Sequence, residues 1–175
     1  INHALFYDEL KDRVYGGFTE SDYDYFRFVE INPEKAAYKS LGTPITNATA
    51  TYCRYDRTIY EFASPNAGEQ WAEFNMDSKT WKHGNTSGAP DYDYSQEMQG
   101  CVYIPEWDKV LRQFTSGKLK HKYYLYNPTD KKNIPYTPVG KTTKETKRGN
   151  KLFYYPARNA VLYVGADNVY VMRVK

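Results

Sequence analysis

An internal repeat of about fifty residues constrains this chain more than any other feature, because periods of that length belong to stacked or circular architectures. Its anchor is Tyr55-Asp-Arg-Thr-Ile-Tyr-Glu-Phe62, with further copies at Trp107-Asp-Lys-Val-Leu-Arg-Gln-Phe114 and Arg158-Asn-Ala-Val-Leu-Tyr-Val164. Setting Ile59, Val110 and Val161 in register gives two steps of 51 residues, and Lys11-Asp-Arg-Val-Tyr-Gly-Gly-Phe18 adds a fourth copy with Val14 45 residues before Ile59. Each anchor is preceded by a short apolar segment (3–7, 49–53, 100–104, 151–155). The first three are followed by an aromatic strand that ends in Asn32, Asn75 or Asn127, and the last by Val169-Tyr-Val-Met-Arg-Val174. Asn followed by Pro, Asp, Ser or Lys is turn chemistry, since the Asn side chain can bond the backbone two residues on. A fourth, outer strand is expected near 36–38, 80–82 and 134–137.

Three or four short strands per unit describe a propeller blade, so the expected fold is all-β: a four-bladed β-propeller in one domain, 1–175. The blades divide at 1–46, 47–97, 98–148 and 149–175, with the short last unit open to completion by the N-terminal segment. Four blades would close a ring with protected edges, whereas an open arc would expose two flat aromatic faces. A piece of a six- or seven-bladed ring is the competing arrangement. Pro105–Phe114 also fits a short amphipathic helix, but its register with three strand anchors favours a strand.

Aromatic content fits this picture. The 19 Tyr, 8 Phe and 3 Trp amount to 17% of 175 residues, and Tyr packs on its ring while keeping its hydroxyl wet, which suits half-exposed β-structure. Apolar runs of about 18 residues are missing, so no membrane-spanning helix is expected. A net charge of +3 spread over both signs is not the footprint of a nucleic-acid binder, and the basic stretch Lys141–Lys151 reads as a solvated loop. Cys53 and Cys101 have no metal-like spacing and can be two buried thiols or a disulfide between neighbouring units. The chain starts at Ile1 without an apolar leader, as a processed or trimmed chain would. With acceptor tripeptides at Asn47 and Asn85, this leans toward secretion.

The units resemble the hemopexin-type repeat. Leu152–Val174, Ile1–Tyr15 and Tyr25-Phe-Arg-Phe28 carry the likeness, while Phe74-Asn-Met-Asp-Ser-Lys-Thr-Trp81 is partly kelch-like. The Asp-Ala-Ala inner strand of that family appears here only as Asn2-His3-Ala4, and the other units depart from it. The resemblance implies a four-bladed, non-enzymatic binding module. Its narrow axial channel, lined by inner-strand backbone, holds a small ion such as calcium or sodium, and some relatives resemble binders of polyamines or haem. It directs attention to the inner strands: His3 and Ala4, Thr51 and Tyr52, Cys101 and Val102, Leu152 and Phe153.

Catalytic signatures are not visible. His3, His83 and His121 lack zinc-like spacing, and there is no nucleophile elbow or phosphate-cradling loop. His3, near the expected axis, is the candidate axial ligand if haem binds. The acidic links 20–24 and 91–97 offer oxygen ligands without the glycine and distal glutamate of an EF-hand loop. Trp81, Tyr92, Tyr94 and Tyr136, placed on links between blades, could stack on sugar rings as in a lectin. The expected function is therefore binding of an ion or small ligand at the central channel, with carbohydrate binding at aromatic inter-blade sites as the alternative. Homo-oligomers are compatible with either.

Overall fold

The computed structural model describes residues 5–20, 25–42, 49–54, 56–62, 71–84, 99–114, 119–139, 151–164 and 168–174. Among these residues fifteen strands form four antiparallel sheets, set in a ring as the blades of a four-bladed β-propeller. Blade 1 is β1 (Leu5–Asp8), β2 (Arg13–Glu20), β3 (Tyr25–Asn32) and β4 (Ala37–Ser40), paired in that order. Blade 2 repeats it with β5 (Thr49–Cys53), β6 (Thr58–Phe62), β7 (Trp71–Asn75) and β8 (Thr80–Gly84). Blade 3 has β9 (Gln99–Ile104), β10 (Lys109–Phe114), β11 (Tyr123–Asn127) and β12 (Lys132–Tyr136). Blade 4 has three strands, β13 (Lys151–Tyr155), β14 (Ala160–Val164) and β15 (Val169–Arg173). Expected outer strands appear as β4, β8 and β12. The 105–114 segment splits into a 3-10 turn, Pro105–Trp107, and then β10.

Local chemistry explains the common register. Val14, Ile59, Val110 and Val161 pair across the first hairpin with Tyr7, Tyr52, Tyr103 and Tyr154, so each inner strand carries a tyrosine at the same place. Two residues before each anchor the backbone is left-handed, at Asp12, Arg57, Asp108 and Asn159. Asp and Asn tolerate that conformation better than most residues. At the third strand's end Asn32, Asn75 and Asn127 accept backbone N–H bonds two residues on, from Glu34, Asp77 and Thr129, each at 3.1 Å. These turns fix hairpin register, and register fixes which side chains share a face.

Both faces of blades 2 and 3 are apolar because each meets a neighbour. Between blades 1 and 2, Tyr15 and Phe28 pack on Ile59, Phe74 and Met76, with Phe28 and Phe74 ring centroids 5.1 Å apart. Between blades 2 and 3, Tyr60, Phe62 and Trp71 meet Tyr103, Val110 and Tyr126, and the buried Arg112 guanidinium lies 4.3 Å over the Phe62 ring. Between blades 3 and 4, Val102, Ile104, Leu111 and Tyr123 meet Leu152, Val161 and Tyr163. Charged groups tie the seams at their rims. Arg57 donates to both carboxylate oxygens of the fully buried Asp8, at 2.7 and 2.6 Å, and Lys79–Glu30 and Lys131–Glu73 are ion pairs one blade apart. Among the described residues no buried cluster joins blade 4 to blade 1, and the faces at the two ends stay exposed.

Cys53 and Cys101 share the buried cluster between blades 2 and 3, and both are free thiols, which decides against the disulfide. Burial pushes the Cys53 thiol up to about 11. No helix among the described residues is long and apolar enough to cross a membrane.

Candidate functional site

The inner strands converge: β9 lies against both β5 and β13, and the Tyr103 N–H donates to Thr51 Oγ1 at 3.0 Å. Successive side chains of a strand point to opposite faces of its sheet, and in blades 2 and 3 both faces belong to seams. Inner-strand side chains accordingly enter the packing between blades. Tyr52 packs in the first seam, Cys101 in the second, and Val102 and Leu152 in the third, while Thr51 is buried and Phe153 is exposed. Any axial ion would be left to main-chain carbonyls. No group of three or more His, Cys, Asp or Glu suited to a metal is found among the described residues. His3 and Ala4 lie outside the described residues, as do Tyr92 and Tyr94.

Two aromatic residues expected on links sit in outer strands instead. Trp81, in β8, is half-buried against Phe28 and Phe74 and donates its indole N–H to the Leu41 carbonyl at 3.0 Å. Tyr136, in β12, packs on Trp107 at 5.4 Å between centroids. Outer strands of four or five residues alternate too briefly for their inward face to be read from sequence.

A cleft opens between blades 3 and 4, beside the three strands of blade 4 found among the described residues. It encloses roughly 50 Å³, lined by Leu111, Tyr123, Leu152, Tyr163, Tyr170 and Met172, and edged by Pro138 and Val139. Tyr163 and Tyr170 stand 5.8 Å apart between ring centroids. Gln113 Nε2 donates to the Tyr123 hydroxyl at 3.1 Å, and Gln113 Oε1 is buried without a partner among the described residues. Burial pushes Tyr123 up to about 12, so its hydroxyl stays neutral near pH 7 and can both donate and accept. The arrangement offers apolar ring faces with a few fixed polar atoms at the mouth of a cleft far smaller than the ~300–1,000 Å³ of an enclosing small-molecule site.

No family model matches the chain, and no curated protein matches it. Among solved structures it is similar to the extracellular domain of a hybrid two component system from B. thetaiotaomicron, with a TM-score of 0.57 over 97% of this chain at 12% identity. The chain spans 20% of that structure's length. At this identity the likeness shows a common fold.

Proposed function

We propose that the chain is a non-enzymatic, extracellular binding module of hemopexin-like propeller type, which stacks a carbohydrate ring across the aromatic mouth of the small cleft between blades 3 and 4. The observation that carries this reading is the set of three tyrosines, Tyr123, Tyr163 and Tyr170, around an apolar floor beside the Gln113 amide. The C–H face of a sugar ring stacks on aromatic rings while its hydroxyls bond to phenolic and amide groups. The extracellular setting draws support from the similar structure, itself an extracellular domain, and from the two glycosylation acceptors.

Titration of mono- and disaccharides against the protein by two-dimensional NMR tests this reading. Saturable shifts are expected in wild type, with affinity at least about tenfold weaker in Tyr170→Ala, the loss of one stacking partner being worth about 1.4 kcal/mol or more. Saccharides that shift nothing, or that bind Tyr170→Ala as well as wild type, would overturn it. The convergence of β5, β9 and β13 supports a second reading, an axial calcium, sodium or haem. For that, thermal shift with each ion and with haemin is the measurement, and His3→Ala should abolish the haem response.

A further inference from the structure

The cleft between blades 3 and 4 limits, by its size, what can enter beneath a sugar stacked at its mouth. It encloses roughly 50 Å³. A water-sized group takes up about 10–15 Å³ of such space, so on the order of four non-hydrogen atoms can enter and a whole sugar ring cannot. What goes in is therefore one substituent of the ring.

The walls decide which substituent fits. Leu111, Leu152 and Val161 are buried there, with Met172 packed against them, so the floor is hydrocarbon. No Lys, Arg, Asp, Glu or His among the described residues lines the cleft. A carboxylate or ammonium group on the sugar would become a buried charge without a partner, which is costly. The polar element is Gln113, fully buried on β10 two residues after Leu111, on the same face, and directly across the ladder from Tyr123. It thus stands between two residues that line the cleft, and its neighbour on the inner strand is Gly100, which has no side chain to fill the space beside it. The bond from Gln113 Nε2 to the Tyr123 hydroxyl, at 3.1 Å, fixes which end of the amide is taken. Gln113 Oε1 is the end left over, buried and without a partner among the described residues. A buried acceptor in that state gains most from a ligand that brings a donor. A ring hydroxyl can supply the donor, but it leaves the hydrocarbon floor unfilled. An acetamido group supplies an N–H and a methyl together.

We infer that the cleft takes the acetamido group of an N-acetylated hexosamine, its N–H donating to Gln113 Oε1 on blade 3 and its methyl entering the floor formed by Leu111, Leu152 and Val161. In a trans amide the carbonyl points away from the N–H, toward blade 4, where the hydroxyl of Tyr170 can donate to it. This assignment rests on the stacking of a carbohydrate at the cleft mouth proposed above, and it makes Gln113 the residue that separates acetamido sugars from plain ones.

Two-dimensional NMR titrations of the wild-type protein with N-acetylglucosamine, glucosamine, glucose and N-butanoylglucosamine test it, together with saturation-transfer NMR on the bound sugar. N-acetylglucosamine is expected to bind about tenfold or more tighter than glucose, with glucosamine no tighter than glucose. The butanoyl chain exceeds the floor and should bind more weakly than the acetyl one, and the acetyl methyl should receive the strongest saturation. Gln113→Met, its folding checked by a circular dichroism melt, should bring the ratio between N-acetylglucosamine and glucose to within about twofold of that set by the methyl contact alone. The saccharide series in wild type gives an answer without the variant. N-acetylglucosamine and glucose binding alike, both weakened in Tyr170→Ala, would overturn the acetamido assignment and leave ring stacking in place. N-butanoylglucosamine binding as tightly as the acetyl sugar, or a folded Gln113→Met that keeps the full wild-type ratio, would overturn it as well. If no saccharide binds, the assignment and the reading beneath it both fall.

Discussion

Glu61 is the buried acid whose removal should most change how stability depends on pH. It stands in the middle of β6, 2% exposed, with Ala50 and Ala72 as its cross-strand neighbours, and its Oε2 has no partner among the described residues. Desolvation alone pushes its carboxyl from the usual 4.5 to about 8. Between those two values the folded chain keeps a proton that the unfolded chain releases, so stability falls as pH rises through the window and levels off above it. At pH 7, two and a half units above the unfolded value at about 1.4 kcal/mol each, the cost is roughly 3 kcal/mol. Glu61→Gln keeps the shape and removes the titration. Urea unfolding followed by tryptophan fluorescence, with Trp71 and Trp81 as reporters in the seams, measures both proteins from pH 5 to pH 8.5. The curves are expected to lie close together at pH 5 and to separate by roughly 3 kcal/mol, in favour of the variant, at pH 7. Parallel curves across the range would show that Glu61 finds a cation or water in solution, and would refute the reasoning.

Two further expectations rest on equally local features. Asp8 has the opposite sign: hydrogen bonding from Arg57 holds its carboxyl below the ordinary range, so the pair stabilises the fold above the unfolded carboxylate value and is lost as pH falls through the lowered one. Asp8→Asn should cost on the order of 3 kcal/mol at pH 7 and flatten the acid limb of the same urea profiles, because it leaves Arg57 facing a neutral amide in a buried site. Cys53 and Cys101, both buried and free, should resist a maleimide reagent in the native state at pH 8 and react together on unfolding, with intact mass the same before and after reduction.

What could be read in the sequence was what local chemistry decides. The anchor of each unit and Asn32, Asn75 and Asn127 at strand ends each act within one hairpin, and each appears in the structure where the spacing put it. Contacts between blades were another matter. Lys79 finds Glu30, and Trp81 finds the Leu41 carbonyl, only because two registers and one seam bring them together. Cys53 and Cys101 reach one buried cluster through their repeat positions, yet they lie on faces of different blades, and nothing in the spacing says whether the sulfurs meet. The cleft was not legible, because which side chains line it depends on how the faces of blades 3 and 4 meet.

The tyrosine column shows how one residue can convert a bond within a blade into a bond between blades. In blades 1 and 3 the inner-strand tyrosine donates its hydroxyl to the left-handed residue five positions on, Tyr7 to Asp12 at 2.9 Å and Tyr103 to Asp108 at 2.6 Å, while the Tyr154 hydroxyl of blade 4 is shared between Asn159, at 3.1 Å, and Glu106 of the preceding blade. The bonds of Tyr7 and Tyr103 close their own hairpins. Blade 2 has Arg57 at that position, and a guanidinium only donates, so Tyr52 has no acceptor there. Freed from the hairpin, Arg57 extends into the seam, where it meets Asp8 of the preceding blade and Asp77 of its own. The result is the most buried ion pair described in the propeller, placed at an inner end of the first seam. A repeat that looks like variation on one motif therefore alternates between two uses of the same turn. The choice is set by whether the turn residue accepts or donates, which is a property of one side chain and can be read in sequence once the register is known.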